Sequence, residues 1–257
     1  MKRRSFIQMS LATLGTTTMT VAAAEQKTRE LYELRVYSLP AKKQESLDGY
    51  LSRAFLPSLK RYGIGPVGVF VEKGDEDNRK VYVLIVHRSA EQAATLSARL
   101  HTDEEHRKAA KEYLDAPPSD PVYTRIDSSL LAAIEGMPRL AKPDTGKPRL
   151  LNLRIYESHN ERAGQKKIEM FNKSELAIFR RVGLTPVFFA ETLVGAAMPN
   201  LTYLLVFPDD AGRQTAWARF LKDEEWQKLR AIPEYADKEI VSRITNKVLT
   251  PAAYSEI

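Results

Sequence analysis

An arginine and a tyrosine two residues apart occur twice in the chain, in the segments Leu34–Tyr37 and Leu153–Tyr156. Residues i and i+2 of a β-strand point to the same face, so each guanidinium would lie beside a phenol. Arginine binds carboxylates through two parallel hydrogen bonds, and both groups can stabilise a phenolate or an enolate. The sequence therefore predicts a binding site for a small organic anion, with these ligand contacts: Arg35, Tyr37, Arg154 and Tyr156.

Three further side chains could transfer a proton at such a site. Glu72 and Glu191 each follow an apolar segment, and burial would raise the pKa of their carboxyl groups and make them better bases. His87 could serve similarly near neutral pH. Tyr82 and Tyr203 are predicted either to line the ligand site or to be core tyrosines with bonded hydroxyls. A buried arginine beside carboxylates can equally be an ion-pair network that fixes the packing of two sheets, so both interpretations stay open.

The composition excludes several classes of site. The chain has no cysteine, which excludes disulfides, thiolate metal sites and cysteine nucleophiles. It has four histidines, too few for a histidine-rich metal centre, and it contains no glycine-rich phosphate loop or nucleophile elbow. We therefore predict neither a metal nor a cofactor. The net charge is +6, but three of the cations lie in residues 2–4, and no basic face with interleaved aromatics suggests nucleic acid.

Residues 1–24 have the three parts of an export signal. A basic start is followed by an uncharged stretch, Phe6–Val21, and by three alanines ending at Ala24. Arg3-Arg4-Ser5-Phe6-Ile7 is similar to the twin-arginine pattern, and the threonine-rich stretch suits that route; a general secretory signal is the alternative. The predicted partners are the twin-arginine translocase and signal peptidase. Cleavage near Ala24 would give a periplasmic or secreted protein, and no later segment is apolar for long enough to span a bilayer.

The remainder of the chain is a repeat. Four blocks recur in order at an offset of about 120 residues, a pattern typical of tandem duplication. We predict one domain at 30–135, a proline-containing linker at 136–149 and a second domain at 150–257. The matching blocks are Leu34–Tyr37 with Leu153–Tyr156, Arg61–Val67 with Arg181–Val187, Val81–Leu84 with Thr202–Leu205, and Asp103–Glu105 with Asp223–Glu225.

Periodicity within the first copy predicts strand, helix, two strands, helix, strand. Pro57 should kink or split the first helix. Ser89 and Thr102 match helix-capping patterns. This order is a ferredoxin-like unit, whose sheet has helices on one face only. Two copies should cover each other's bare faces and form a pseudo-dimeric α/β barrel, although a neighbouring chain could cover them instead. The predicted strands are Leu31–Tyr37, Val67–Glu72, Val81–Val86 and Val122–Ile126.

The alternation in the first strand also suggests which side chains face the other sheet. With Leu34 and Val36 towards the helices, Glu33, Arg35 and Tyr37 would face the second sheet. The second copy would present Asn152, Arg154 and Tyr156 in the same way. The predicted ligand site therefore lies between the two sheets.

Short motifs across residues 30–257 resemble the NIPSNAP domain. They include Glu33–Tyr37, Glu72 with Gly74, Asn78 ahead of Val81-Tyr82, and the Asp-x-x-Trp of Asp223–Trp226. The resemblance implies a fold similar to the dimeric α/β barrels, which include proteins of the antibiotic-biosynthesis monooxygenase type. Near the end of the third strand this chain has Ile85 and His87 where the family usually has tryptophan and tyrosine.

Two classes of function follow. The first is a protein that binds a small aromatic or enolisable molecule between the sheets, with or without cofactor-independent turnover. The alternative is a non-catalytic module for protein interactions, which predicts an exposed apolar patch and no pocket. A homo-oligomer is compatible with both, and the residues do not decide whether the protein is an enzyme.

Overall fold

Two consecutive units of the chain have the same order of strands and helices. The computed structural model describes residues 29–73 and 77–257, so the predicted export signal at 1–24 lies outside the described residues. The first unit consists of β1 (Leu31–Pro40), α1 (Gln44–Tyr50), α2 (Leu56–Arg61), β2 (Val67–Glu72), β3 (Asn78–His87), α3 (Ala90–Thr102), α4 (Glu104–Ala109), α5 (Lys111–Leu114) and β4 (Arg125–Ala133). The second consists of β5 (Leu150–Glu157), α6 (Glu161–Met170), α7 (Leu176–Val182), β6 (Thr185–Val194), β7 (Asn200–Phe207), α8 (Asp210–Lys222), α9 (Glu224–Arg230), α10 (Asp237–Ile240) and β8 (Arg243–Pro251).

The eight strands close into one antiparallel barrel in the order β1-β3-β2-β8-β5-β7-β6-β4. Within each unit the last strand lies beside the first, as in a ferredoxin-like sheet. The units join where β2 pairs with β8 and where β4 pairs with β6. Closure pairs the edges that an isolated four-stranded sheet would expose. The predicted α+β pseudo-dimeric barrel is confirmed.

Apolar side chains form three clusters, one inside the barrel and one between the sheet and the helices of each unit. One cluster fills its interior with residues from both units, including Leu34, Leu84, Leu153 and Leu204. A second cluster lies between the first unit's sheet and helices, and a third occupies the same place in the second unit. Most strands therefore bury residues on both faces, whereas β4 and β8 are exposed over much of their length.

The predicted orientation of β1 and β5 is wrong. Leu34 and Leu153 belong to the interior cluster, while Tyr37 and Tyr156 belong to the helix-covered clusters. Arg35 and Arg154 therefore lie under the helices and not between the sheets. Alternation identifies two faces of a strand, but it does not show which is covered by helices when both are buried.

The first helix of each unit continues through one π-helical turn. The turns are Leu51–Phe55 and Phe171–Glu175, and a further helix follows each without a break in the chain. Pro57 follows the first turn, but the second unit has Ala177 at the corresponding place. Because both units contain the π turn, Pro57 is not its cause, and the predicted kink is replaced by a local widening of the helix.

Two local predictions can be compared directly with the structure. Ser89 caps α3 by accepting a hydrogen bond from the Gln92 amide, as predicted. The next helix is capped by Asp103, which accepts from the His106 amide, and not by Thr102. The fourth strand begins at Arg125 and runs to Ala133, well beyond its predicted end.

Candidate functional site

A cavity of about 560 Å³ lies between the helices and the sheet of the second unit. This volume is within the range of small-molecule sites. Strand β5 and helices α6, α8 and α9 supply most of its walls. Its lining residues are Arg154, Tyr156, Lys167, Glu175, Arg213, Gln214, Trp217, Ala218, Phe220, Leu221, Trp226, Arg230, Asp237 and Ile244.

Arg154 lies in this cavity without a carboxylate partner among the described residues. Its guanidinium carbon is 4.4 Å from the centre of the Trp217 ring and 5.3 Å from that of Tyr156. Its Nε is buried and makes no hydrogen bond in the described part of the chain. Burial lowers the pKa of Arg154, but the hydroxyls of Tyr156 and Tyr203 outweigh burial and raise it. The cavity therefore contains a partly buried cation that can accept an anionic ligand.

Asn152 holds the tryptophan that covers Arg154. The Trp217 indole Nε1 donates to Asn152 Oδ1 at 3.1 Å. The amide of Asn152 donates in turn to Asn246 Oδ1 at 2.6 Å and to the Lys247 carbonyl at 3.0 Å. With its amide satisfied by the protein, Asn152 fixes the indole plane and places no negative charge near the guanidinium.

A buried ion pair lines the same cavity. Lys167 Nζ lies 2.9 Å from Glu175 Oε2, and the two side chains are 2% and 1% exposed. Burial raises the pKa of Glu175, and the charge of Lys167 acts against this rise. Lys167 Nζ also lies 4.8 Å from the centre of the Phe171 ring. The cavity thus joins an unpaired cation, aromatic walls and an acid–base pair.

Two tyrosines form the sheet side of this site. The Tyr203 hydroxyl donates to the Tyr156 hydroxyl at 2.8 Å, and the rings meet edge to face. Burial raises the pKa of Tyr203 well above its ordinary value, so this phenol is neutral near pH 7. Of the predicted ligand contacts, the structure therefore brings three to the cavity or its floor: Arg154, Tyr156 and Tyr203.

The corresponding arginine of the first unit is neutralised. Arg35 Nε lies 2.5 Å from Glu33 Oε1, and His87 Nε2 lies 3.2 Å from Glu33 Oε2. Burial raises the pKa of Glu33, but hydrogen bonds from His87 and Arg35 outweigh it and bring the pKa to about 2. His87 therefore belongs to an ion-pair network, which was the structural alternative for Arg35.

Tyrosines occupy much of the space beside Arg35. The rings of Tyr50 and Tyr113 stack at a centroid distance of 3.7 Å. Tyr123 lies 5.7 Å from Tyr37 and 6.1 Å from Tyr113, again between ring centroids. A cavity beside this cluster, lined by Tyr50 and Tyr113, has a volume of about 180 Å³. The space beside this cluster is therefore smaller than the one beside Arg154, and Arg35 has a carboxylate partner.

The two predicted glutamates lie away from the cavity. Glu72 accepts hydrogen bonds from the Tyr82 hydroxyl at 2.8 Å and from Lys247 Nζ at 2.6 Å. Glu191 accepts from Gln165 Nε2 at 2.8 Å. Neither carboxylate lines the cavity, so the structure does not bring Glu72, Glu191 or Tyr82 together with Arg154.

Tyr82 and Tyr203 are not structural counterparts. Val83 lies opposite Arg35 in the sheet, whereas Tyr203 lies opposite Arg154. The alignment of Tyr82 with Tyr203 is therefore wrong by one residue, and the two rings lie on opposite faces of the barrel wall. A shift of one residue moves a strand side chain to the other face.

Sequence reasoning missed the buried pair of the site. Lys167 and Glu175 are eight residues apart in the first helical segment of the second unit, and neither is among the predicted site residues. Trp217 and Trp226 are not among the predicted ligand contacts either. A useful signal was present, because Lys167 and Glu175 stand where the repeat has Leu47 and Phe55. Charged residues in place of two apolar ones indicate a site that packing alone does not require.

Two kinds of feature are absent from residues 29–73 and 77–257. No group of three or more potential metal-ligating side chains occurs there. None of the described helices combines the length and apolar character needed to cross a membrane.

Comparison with known proteins identifies a domain and a fold. Residues 151–256, which lie within the second unit, match the NIPSNAP family model. No curated protein matches the chain.

Three solved structures share the barrel. A candidate monooxygenase from Fusobacterium nucleatum is 7% identical with a TM-score of 0.58, and the match covers 88% of this chain and 93% of that one. A candidate monooxygenase from Lactobacillus acidophilus is 11% identical with a TM-score of 0.57, covering 89% and 98%. An anthrone oxidase-like protein is 11% identical with a TM-score of 0.53, covering 88% and 92%. At these identities the likeness establishes the α+β barrel fold alone, while the NIPSNAP match identifies the domain that contains the cavity.

Proposed function

We propose that the protein binds a small aromatic anion in the cavity of the second unit. The observation that carries this proposal is Arg154, a cation with no carboxylate partner among the described residues, in a cavity of about 560 Å³. A carboxylate or enolate would supply the missing counter-charge. The ligand ring would contact Trp217, whose indole already lies against the guanidinium. This proposal moves the predicted site from between the sheets to beneath the helices.

The size and lining of the cavity limit the ligand class. Apolar contact would come from Tyr156, Phe220 and Trp226. Positive charge would come from Arg154 and Lys167. Sites of this kind bind molecules with an apolar body and a few polar groups that fix orientation. A monocyclic aromatic carboxylate fits both the charge and the walls.

Titration calorimetry with phenylacetate tests this function, with phenylacetamide as the uncharged control ligand. Arg154→Gln should weaken phenylacetate binding by at least about 30-fold, because it removes one partner of a buried charge pair. The matched variant Arg35→Gln should leave the affinity within about twofold, because Arg35 is already paired with Glu33. Equal affinity in wild type and Arg154→Gln would remove the proposal.

The alternative, a protein-interaction module, has one observation in its favour. The β6–β7 hairpin exposes Leu193, Val194 and Met198, which are 44%, 65% and 48% exposed. Exposed apolar patches mark protein contacts in many soluble proteins. Replacing the three residues with serine should abolish a protein contact if this function holds, and should leave phenylacetate binding unchanged under the first proposal.

Export and duplication complete the proposal. We propose that residues 1–24 direct export by the twin-arginine route. We also propose that the first unit, residues 30–135, is a NIPSNAP domain that has diverged from the second unit. The basic start, the paired arginines and the alanines at 22–24 support export. Cell fractionation tests it: Arg3→Lys/Arg4→Lys should retain the precursor in the cytoplasm, whereas normal processing of that variant would favour the general secretory route.

A further inference from the structure

The buried pair Lys167–Glu175 is not required by the packing of this fold. Its counterparts in the first unit are Leu47 and Phe55, both fully buried, and the second residue of each pair ends the π-helical turn of its unit. Burying two charges costs several kcal/mol per ion, and an apolar pair of similar volume is often at least as stable. The second unit therefore has an ion pair where the first shows that an apolar pair suffices.

The position of the pair indicates what it is for. Lys167 and Glu175 both line the cavity that contains Arg154. The charge of Arg154 acts on Glu175, so the two groups lie within electrostatic reach of each other. A π turn widens the helix at Glu175, and such turns occur frequently at functional sites. A carboxylate that lies near the arginine to which an anionic ligand binds can exchange a proton with that ligand.

A fourth group completes the arrangement. Trp226 lines the cavity, and its buried indole N–H has no hydrogen-bond partner among the described residues. It lies beside the pair, with Lys167 Nζ at 5.8 Å from the centre of its ring. A buried donor without a partner costs free energy, which a ligand oxygen would recover.

We propose that this cavity is a proton-transfer site for an aromatic 2-oxo acid, with Glu175 as the base. The inference rests on the proposed function, since it requires the ligand carboxylate to bind Arg154. Glu175 removes a proton from the carbon next to the ketone, and the C–H electron pair moves to form an enolate. The ketone oxygen takes the negative charge and is stabilised by the Trp226 N–H and the Lys167 ammonium. The proton then returns from Glu175 to carbon or to oxygen, so the step is an enolisation that needs no further reactant.

The electrostatics of Glu175 suit this role. Burial raises the pKa of its carboxyl group, which makes the carboxylate a stronger base. The charge of Lys167 acts against this rise and favours the ionised carboxylate. When Glu175 takes up a proton, Lys167 becomes free to stabilise the enolate oxygen.

Deuterium exchange of phenylpyruvate tests the inference on the full chain. Proton NMR in D₂O follows loss of the CH₂ signal, and calorimetry measures binding of the same compound. The protein should accelerate exchange by at least about 100-fold over buffer, as expected for a positioned general base. Glu175→Gln should lose this acceleration and still bind phenylpyruvate.

A second variant guards against misfolding of Glu175→Gln, which leaves Lys167 buried without its partner. Lys167→Met/Glu175→Leu restores an apolar pair of the kind found in the first unit, and it should fold and fail to exchange. Binding of phenylpyruvate with no acceleration by the wild type overturns proton transfer and leaves the binding function intact. Exchange at the wild-type rate in either variant overturns the role of Glu175. Absence of binding by the wild type removes the 2-oxo acid assignment altogether.

Discussion

In the first unit, Arg35 is paired with Glu33, whereas the corresponding Arg154 of the second unit lies beside an amide, Asn152. The residues packed around the two arginines also differ, and they leave more space beside Arg154 than beside Arg35. Tyrosine rings pack beside Arg35, while Trp217 covers Arg154 and leaves a cavity next to it.

This difference shows that two units with the same order of strands and helices can differ in the charge and the space beside equivalent arginines. Each unit supplies four strands to the same barrel, and each of the two edge-to-edge joints contains one strand from each unit, so both units are needed for the architecture. In the second unit, Arg154 has no carboxylate partner among the described residues and lines a cavity of about 560 Å³, whereas the equivalent Arg35 is paired with Glu33. The exchange of a carboxylate for an amide at one strand position accounts for the difference in charge.

The largest expected effect comes from breaking the buried pair in the second unit. Lys167→Met leaves Glu175 buried without its partner, which should lower the free energy of unfolding by about 3–5 kcal/mol. Leu47→Met, at the corresponding place in the first unit, exchanges two apolar residues of similar volume and should cost less than about 1.5 kcal/mol. Urea unfolding measures both. Similar losses in the two variants would contradict the assignment of a buried charge pair.

Introducing the first unit's carboxylate at the equivalent position of the second unit should pair Arg154 internally and weaken ligand binding. Asn152→Glu places a negative charge two residues from Arg154, as Glu33 is placed relative to Arg35. The affinity for phenylacetate should fall by about 30-fold or more, since the ligand would compete with an internal partner. The reciprocal variant Glu33→Asn should leave phenylacetate binding in the second unit unchanged. Undiminished binding by Asn152→Glu would show that the charge of Arg154 is not what the ligand recognises.

Acid should destabilise the protein partly through Glu33. Its pKa in the folded state is about 2, below its ordinary value of 4.5, so its contribution is present above pH 4.5 and is lost as the pH falls towards 2. The shift corresponds to about 3 kcal/mol. Unfolding free energies measured across this range should fall less steeply for Glu33→Gln than for the wild type. An identical slope in the two proteins would mean that Glu33 does not contribute.

The smallest expected effect concerns the covering tryptophan. Trp217→Phe removes the hydrogen bond to Asn152 and weakens the cation–π contact with Arg154, each a contribution of about 1 kcal/mol. The affinity for phenylacetate should fall by about tenfold, whereas Ser97→Ala on the corresponding helix should have no effect. Calorimetry distinguishes the two. An unchanged affinity in Trp217→Phe would separate the tryptophan from the ligand site.

The sequence was sufficient for the architecture because that depends on patterns repeated along the chain. The duplicated blocks and the change from twofold to helical periodicity predicted two ferredoxin-like units and their closure into a barrel. The segment Val67–Glu72 was predicted with the observed bounds. The end of the fourth strand was missed because the predicted strand stops at Ile126, whereas the apolar residues Leu130–Ala133, which pair with β6, follow it.

The site was only partly predictable, because its position depends on which strand face meets the helices. Arg154 and Tyr156 were identified from residue type alone, but they were assigned to the barrel interior. Leu34 and Tyr37 are both buried, so hydropathy could not distinguish the two faces of β1. Glu72 and Glu191 were selected by their place at strand ends, whereas the acid–base pair comes from a helix and depends on tertiary packing.

A crystal structure with bound phenylacetate tests the central claim most directly, since it locates the ligand without reference to any variant. We predict one ligand per chain beneath α8, its carboxylate on Arg154 and its ring against Trp217. A ligand in the barrel interior or beside Arg35 would contradict the division between the two units.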